Sequence, residues 1–306
     1  MRNKKQNIWI VNGLIIALFA PLLIGCSPAK KAIRAGDLEF AYNEAMNYYN
    51  QQKWSKSAEL FETLSDYFAG TQREDSIMYY NGYSKFKDGQ YISAIEVFEE
   101  YRRSYSRSPL LEDIEGMYTL SHYYLSPGPT RDQGMTQTTI GKIDEFTSRY
   151  PDSRNYDEFL LLREEMVNRL FDKDYMNSYT YYKIRKYKSA ISALKNSLKR
   201  YPETVHRESI LFYIVASNFE LAENSVASKQ YERYLSTIDS YYTFIAEFPE
   251  SKEYKSKAEK MYTSAQKFID RGEVEKDESD NYEAQRERED AAADEERGGM
   301  PGGGRM

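Results

Sequence analysis

One arrangement of apolar and small positions recurs five times along the chain, in the blocks Trp54 to Phe61, Tyr91 to Phe98, Thr136 to Ile143, Tyr187 to Leu194 and Tyr234 to Tyr241. Each block opens on a bulky or β-branched residue. A small residue follows at the third place (Ser57, Ala94, Thr139, Ala190, Thr237) and a large apolar or aromatic one at the seventh (Phe61, Phe98, Ile143, Leu194, Tyr241). Offsets of three, four and seven fall on one face of an α-helix, so each block is predicted to be an amphipathic helix. Fourteen places after each opener stands another aromatic, Phe68, Tyr105, Tyr150, Tyr201 or Phe248, and the last three are followed by Pro151, Pro202 and Pro249. Proline forces its predecessor out of the helical region, so the aromatic–proline pair is predicted to end the helix.

Upstream of the openers lies a second helical stretch, for example Ile77 to Lys87 before Tyr91 and Tyr175 to Arg185 before Tyr187, set off by a short Asp-Gly-Gln or Lys break. The unit is therefore a helix–turn–helix hairpin. Five are predicted between about Leu38 and Asp270, with the least regular stretch at 106–140, where Ser126-Pro127-Gly128-Pro129 reads as a loop and Thr139 stands at the small position. Opener, small residue, aromatic and terminal proline come in the order and spacing of the tetratricopeptide repeat (TPR), which the pattern resembles. Successive openers are 37, 45, 51 and 47 residues apart, longer than that repeat's usual ~34. The resemblance implies an all-α fold, a right-handed superhelix of about five TPR-like helix hairpins whose first helices line a concave groove. A coiled coil is disfavoured because prolines interrupt the helices before any long heptad run develops.

The two ends read differently. MRNKKQN is a positive leader, and an apolar run from Ile8 to Ile24 follows it up to Gly25-Cys26, the only cysteine of the chain. This is a signal-peptide layout, and Leu23-Ile24-Gly25-Cys26 resembles the bacterial lipobox, which implies lipid attachment at Cys26. An uncleaved membrane anchor is the alternative, although a run of 17 residues is short against the ~20 a span needs. The expected organisation is a signal peptide over 1–25, a lipidated tether over 26–36, a repeat domain over 37–270 and an acidic tail over 271–306. From Asp270 onward the chain holds 13 acids against 6 bases, too charged and too poor in apolar residues to fold alone, except where the last helix continues to about Arg288.

Composition narrows the function. The formal charge of −6 is carried by that tail, and the near-neutral body lacks the concentrated basic face that phosphate binding needs, so no nucleic-acid partner is expected. Catalysis finds little support. The two histidines, His122 and His206, lie far apart in sequence without metal-ligand spacing, and no P-loop, GxSxG or EF-hand loop occurs. No cofactor, no metal site and no enzymatic activity are expected. Adjacent acids such as Glu99-Glu100 and Glu164-Glu165 point to different sectors of a helix and read as solvated faces.

The tyrosines are more informative, at 29 of 306 residues. Twelve, eight and five places before the openers of units one, two and four stand Tyr42, Met46 and Tyr49, then Tyr79, Tyr83 and Phe86, then Tyr175, Tyr179 and Tyr182. Eight of these nine are aromatic, one stripe per first helix. Such a stripe suits either interhelical core or a groove for an extended peptide, because tyrosine combines a rigid apolar ring with a hydroxyl that prefers water. On the groove reading, Tyr42, Tyr49, Tyr79, Tyr83 and Phe86 are the candidate peptide-binding residues.

Taken together, Gly25-Cys26, the Tyr91/Ala94/Ile95/Phe98 block, Arg149-Tyr150-Pro151-Asp152-Ser153 and Lys199-Arg200-Tyr201-Pro202 resemble the BamD family, lipoprotein subunits of the outer-membrane β-barrel assembly machine. The resemblance covers residues 20 to about 270. Ser106 where unit two would carry proline, the acidic tail, and tyrosine at many usual leucine positions depart from it. It implies a non-catalytic scaffold, lipid-anchored in the outer membrane and facing the periplasm. The N-terminal repeats would receive unfolded outer-membrane proteins, and the C-terminal repeats would dock a BamA-type barrel subunit of the Omp85 class. A SusD-like glycan-uptake lipoprotein and a cell-envelope or peptidoglycan-associated TPR protein are the alternatives. Both usually bring a further segment, a large non-repeat part or a coiled coil, that this sequence lacks.

Overall fold

The computed structural model describes residues 28–272 and Arg286, and the described residues are helical without a strand. A short helix α1 (Pro28–Ala35) precedes five hairpins: α2 (Leu38–Asn50) with α3 (Trp54–Phe68), α4 (Glu74–Lys87) with α5 (Tyr91–Ser104), α6 (Leu111–Leu125) with α7 (Gly134–Arg149), α8 (Tyr156–Lys183) with α9 (Tyr187–Arg200), and α10 (Arg207–Glu223) with α11 (Ala227–Glu247). Residues 255–272 form a further helix, α12. The chain divides into two compact units, one containing the residues up to Pro127 with Gly134–Arg163, the other Gly128–Gln133 with the residues from Glu164.

In the first unit α1 to α7 pack each on the next, and α4 also touches α6, so first helices of successive hairpins adjoin. In the second unit α9, α10 and α11 pack in the same consecutive way. Both follow from the periodicity already noted. Every small residue at the third place of a block, Ser57, Ala94, Thr139, Ala190 and Thr237, is fully buried. Where it is polar it is also bonded: Ser57 Oγ lies 2.9 Å from Ser84 Oγ, and Thr139 Oγ1 donates to the His122 carbonyl at 3.1 Å. Gly82 shows how closely α4 and α5 approach, since a Cβ there would come within 2.4 Å of the Phe98 ring. Because Ala94 and Ala190 are fully buried between packed helices, Ala94→Leu and Ala190→Leu are each expected to destabilise by about 1–3 kcal/mol. Urea titration followed by circular dichroism measures this, and unfolding like wild type in both variants would refute the close-approach assignment.

Three hairpin turns are closed in the same way. Two places before their openers, Gln52, Gly89 and Arg185 take φ of 56°, 77° and 59°, and the next residue donates back to the preceding helix at 2.9 Å, as in Lys53 N to Tyr48 O, Gln90 N to Lys85 O and Lys186 N to Tyr181 O. This left-handed cap satisfies carbonyls the helix end leaves open, and glycine adopts it without strain whereas glutamine and arginine do not. At the far end of the blocks Tyr105, Tyr201 and Phe248 leave the helical region, with φ near −124°, −132° and −127°. The aromatic terminator therefore works at Tyr105 even without a following proline.

Some sequence-based boundaries differ. Tyr234 does not open its helix, because α11 starts at Ala227. The earlier start leaves the face unchanged, since seven residues are nearly two full turns. Thr136 is likewise the third residue of α7. The first helix of the fourth hairpin is 28 residues long, which absorbs the widest spacing between openers. Residues 28–35, read from sequence as tether, form α1 because Ala29 and Ile33 fall one turn apart and bury against α2 and α3. Lys30 pairs with Glu59 across that contact. The segment predicted to be a signal peptide, Cys26 and the residues beyond Gly272, Arg286 apart, lie outside the described residues.

Candidate functional site

The aromatic stripe of the first unit falls into two groups of touching rings. Tyr42 meets Phe61 edge-on at 6.1 Å, Phe61 stacks on Tyr80 at 5.4 Å, and Tyr80 contacts Tyr49 at 4.9 Å. Tyr49 then touches Trp54 at 5.4 Å and Tyr83 at 5.3 Å, and Tyr83 leads to Tyr79 at 6.0 Å. A neighbouring group joins Phe86 to Tyr91 at 5.8 Å and to Tyr124 at 6.0 Å, while Tyr91 and Tyr124 stack at 4.8 Å. All five sequence-predicted groove residues are thus in these groups. None is fully buried and none is fully exposed. One ring face packs on core side chains such as Ile77, Phe61 and Phe98, and the remainder meets solvent.

Half-burial leaves its mark on the phenols. Burial, helped by Asp113 and the neighbouring tyrosines, raises Tyr79 to about 12. Tyr49 is pushed up further by burial and by Tyr83, Tyr79 and Tyr80, and Tyr42 is raised mainly by burial. These hydroxyls stay protonated and can donate to carbonyls at any physiological pH. Cations border the rings: Lys87 Nζ lies 5.5 Å from the Tyr83 centroid, and the Arg73 guanidinium, paired with Glu39, lies 5.4 Å from Tyr42.

Sequence reasoning missed Trp54, Tyr80, Tyr91 and Tyr124 as members of this surface. A signal existed for Tyr124. It precedes the opener Thr136 by twelve places, the same offset that relates Tyr42 to Trp54 and Tyr79 to Tyr91. It is 52% exposed, more open than the five sequence-predicted residues beside it.

The second unit repeats the device. Tyr175 stacks on Tyr179 at 5.7 Å and on His206 at 4.4 Å, and Tyr213 contacts Tyr179 at 4.5 Å and Tyr182 at 4.9 Å. Burial, seconded by Tyr254, raises Tyr175 to about 12. Lys183 lies 5.2 Å from the Tyr179 ring, the same relation as Lys87 to Tyr83. His206 Nε2 sits 2.6 Å from Asp172, so the half-buried imidazole serves this local packing.

Apart from the rings, the first unit carries a polar cleft of about 1030 Å³ between α5, α6 and α7, with Arg102, Glu115, Tyr118, Lys142 and Arg149 in its walls. Its floor is an ion network. Glu115, 3% exposed, receives Arg102 Nε at 3.3 Å and also pairs with Arg149. Glu145 receives Arg102 Nη2 at 2.6 Å and Lys142 at 3.3 Å. Burial works to raise the Glu145 carboxyl, but Lys142 and Arg102 outweigh it and hold it below the usual range. Each charge has an opposite partner, so the network supplies structure. Among the described residues no group of three or more His, Cys, Asp or Glu side chains could hold a metal ion, and no helix is long and apolar enough to cross a membrane.

Comparison with known proteins adds to this geometry. A family model described as an outer membrane lipoprotein, YfiO, matches residues 34–233. The chain is similar to the outer membrane protein assembly factor BamD of Rickettsia prowazekii, at 25% identity over 192 residues, 61% of this chain and 75% of that protein. The BamD of Caulobacter vibrioides is 21% identical over 217 residues, 69% of this chain and 71% of the relative. Among solved structures, the TPR2AB-domain:pHSP90 complex of yeast Sti1 matches with a TM-score of 0.35 and 13% identity, covering 76% of this chain and 99% of that one.

Proposed function

The chain belongs to the outer membrane lipoprotein family YfiO, and on that premise we propose that it is a non-catalytic assembly factor for outer-membrane β-barrel proteins. The aromatic surface of the first unit receives extended segments of unfolded barrel precursors. Rings fixed on one side by the core lose little entropy on binding, and their protonated hydroxyls reach the backbone carbonyls of a bound strand. The observation that carries this reading is the two adjoining groups of touching, mostly half-buried rings on the first helices of successive hairpins, Tyr49 with Tyr80 and Tyr83 in one and Phe86 with Tyr124 in the other. The second unit docks a BamA-type barrel subunit. Exposed Tyr231, Leu235 and Tyr242 on α11 offer apolar contact area for such a partner.

Anchorage is through lipid on Cys26, with the folded units in the periplasm. Cys26→Ala is therefore expected to leave a precursor-size protein that fails to reach the outer membrane, as fractionation and gel mobility would reveal. A mature-size, outer-membrane Cys26→Ala product would remove the anchor from the account. The assembly role is tested by solubilising outer membranes in mild detergent and purifying the full chain. Recovery of an Omp85-class barrel in stoichiometric amount is the expected result. A preparation holding instead a TonB-dependent transporter would point to glycan uptake and overturn the reading.

A further inference from the structure

We propose that His122 makes the third hairpin of the first unit acid-sensitive. His122 lies on α6, is 9% exposed, and packs edge-on against Tyr118 at 4.8 Å. Neither Nδ1 nor Nε2 has a hydrogen-bond partner, although a neutral imidazole carries one donor and one acceptor. The backbone at the same residue joins the two helices of the hairpin, because its carbonyl accepts from Thr139 Oγ1 of α7 at 3.1 Å. An imidazole in this place satisfies neither of its polar atoms, and its titration strains the joint.

The charged groups that face it come from both neighbouring helices: Glu99 and Arg102 from α5 and Lys142 from α7. Glu99 already accepts the Tyr118 hydroxyl at 3.0 Å, and Arg102 and Lys142 lie over the Tyr118 ring at 4.6 and 5.2 Å. Protonation would add a third cation beside Arg102 and Lys142, while Glu115 and Glu145 already pair with those two and Glu99 already accepts from Tyr118. Burial first, and then Lys142 and Arg102, push the imidazole below its ordinary value while Glu99 opposes them. The folded chain consequently binds this proton later than the unfolded chain, whose histidine titrates near ~6.5. The contribution to stability is whole above ~6.5 and is lost as pH falls from there through the depressed folded value, by up to about tenfold in the opening equilibrium per pH unit. The acid-opened state separates α6 from α7 and with them the walls of the polar cleft.

Amide hydrogen exchange on the full chain at pH 6.5 and 5.5, corrected for intrinsic rates, reads this opening. Wild type is expected to open more often at the lower pH within Leu111–Arg149, by up to about fivefold because the unfolded histidine is already half protonated at the higher pH, while α2 to α5 stay unchanged. His122→Asn and His122→Leu should abolish the difference. NMR titration of the two imidazoles provides a readout independent of variant folding, with His206 as the internal comparison. A His122 imidazole titrating at or above ~6.5, or an acid response that persists in either folded variant, would overturn the proposal.

Discussion

Replacing Arg102 and Arg149 together by methionine is expected to lower the free energy of unfolding by roughly 3–5 kcal/mol. The two guanidinium groups are the charges that meet the carboxylate of Glu115, which is 3% exposed. Without them a carboxylate stays buried between α5, α6 and α7 with no cation against it, and desolvation is then uncompensated. The loss should be reversible in a specific way. Adding Glu115→Met to the same variant removes the stranded charge, and buried ion networks replaced whole by apolar side chains of similar volume tend to be neutral or even stabilising. A urea-unfolding cycle over wild type, double and triple variant measures both steps. Equal stability of the double and triple variants would show that Glu115 reaches water by another route.

The second large effect is expected at Tyr79 and Tyr83. Full burial of an aromatic ring makes its truncation to alanine cost about 3–5 kcal/mol, and these rings are half-buried, so about 2 kcal/mol each is expected. Because the two rings lie 6.0 Å apart, the double variant should lose somewhat less than the sum. Affinity for a peptide copied from a C-terminal barrel strand should fall as well. Truncating a central aromatic anchor costs ~2 kcal/mol or more, and two such losses amount to about 700-fold or more. Isothermal titration and thermal unfolding on one preparation separate the effects. Undiminished affinity in the folded variant would take both residues out of the proposed site.

Why the repeat was legible and the site only partly so has a physical answer. Spacings of three, four, seven and fourteen are local, and a helix reads them directly, which is why Trp54, Tyr91 and Tyr187 each begin a helix. A heptad shift leaves the buried face intact, so the pattern at Tyr234 could not disclose the two turns that precede it in α11. The choice between groove and core for the stripe was undecidable from periodicity, since Tyr49 packs on Trp54 and Tyr80 with part of its ring and faces water with the rest. Both readings described half of each side chain. Tyr124 was reachable in principle from its offset to Thr136. Trp54 and Tyr80 were not, because their place beside Tyr49 depends on how neighbouring helices pack. The Arg102–Glu115–Arg149 network joins residues 13 and 34 positions apart, beyond any local pattern.

The proposed role stands or falls on whether the aromatic surface of the first unit touches barrel precursors in the envelope. A photo-crosslinking amino acid placed at Tyr124, 52% exposed and stacked on Tyr91, reports from the Phe86 group of that surface, and one at Tyr67, 53% exposed on α3, reports from a position of similar exposure with no ring contact among the described residues. Illumination of cells expressing the full chain should yield adducts with newly exported outer-membrane barrel proteins from Tyr124 and few from Tyr67. Equal yields from both positions, or precursors captured from Tyr67 alone, would contradict the assignment of substrate binding to this surface.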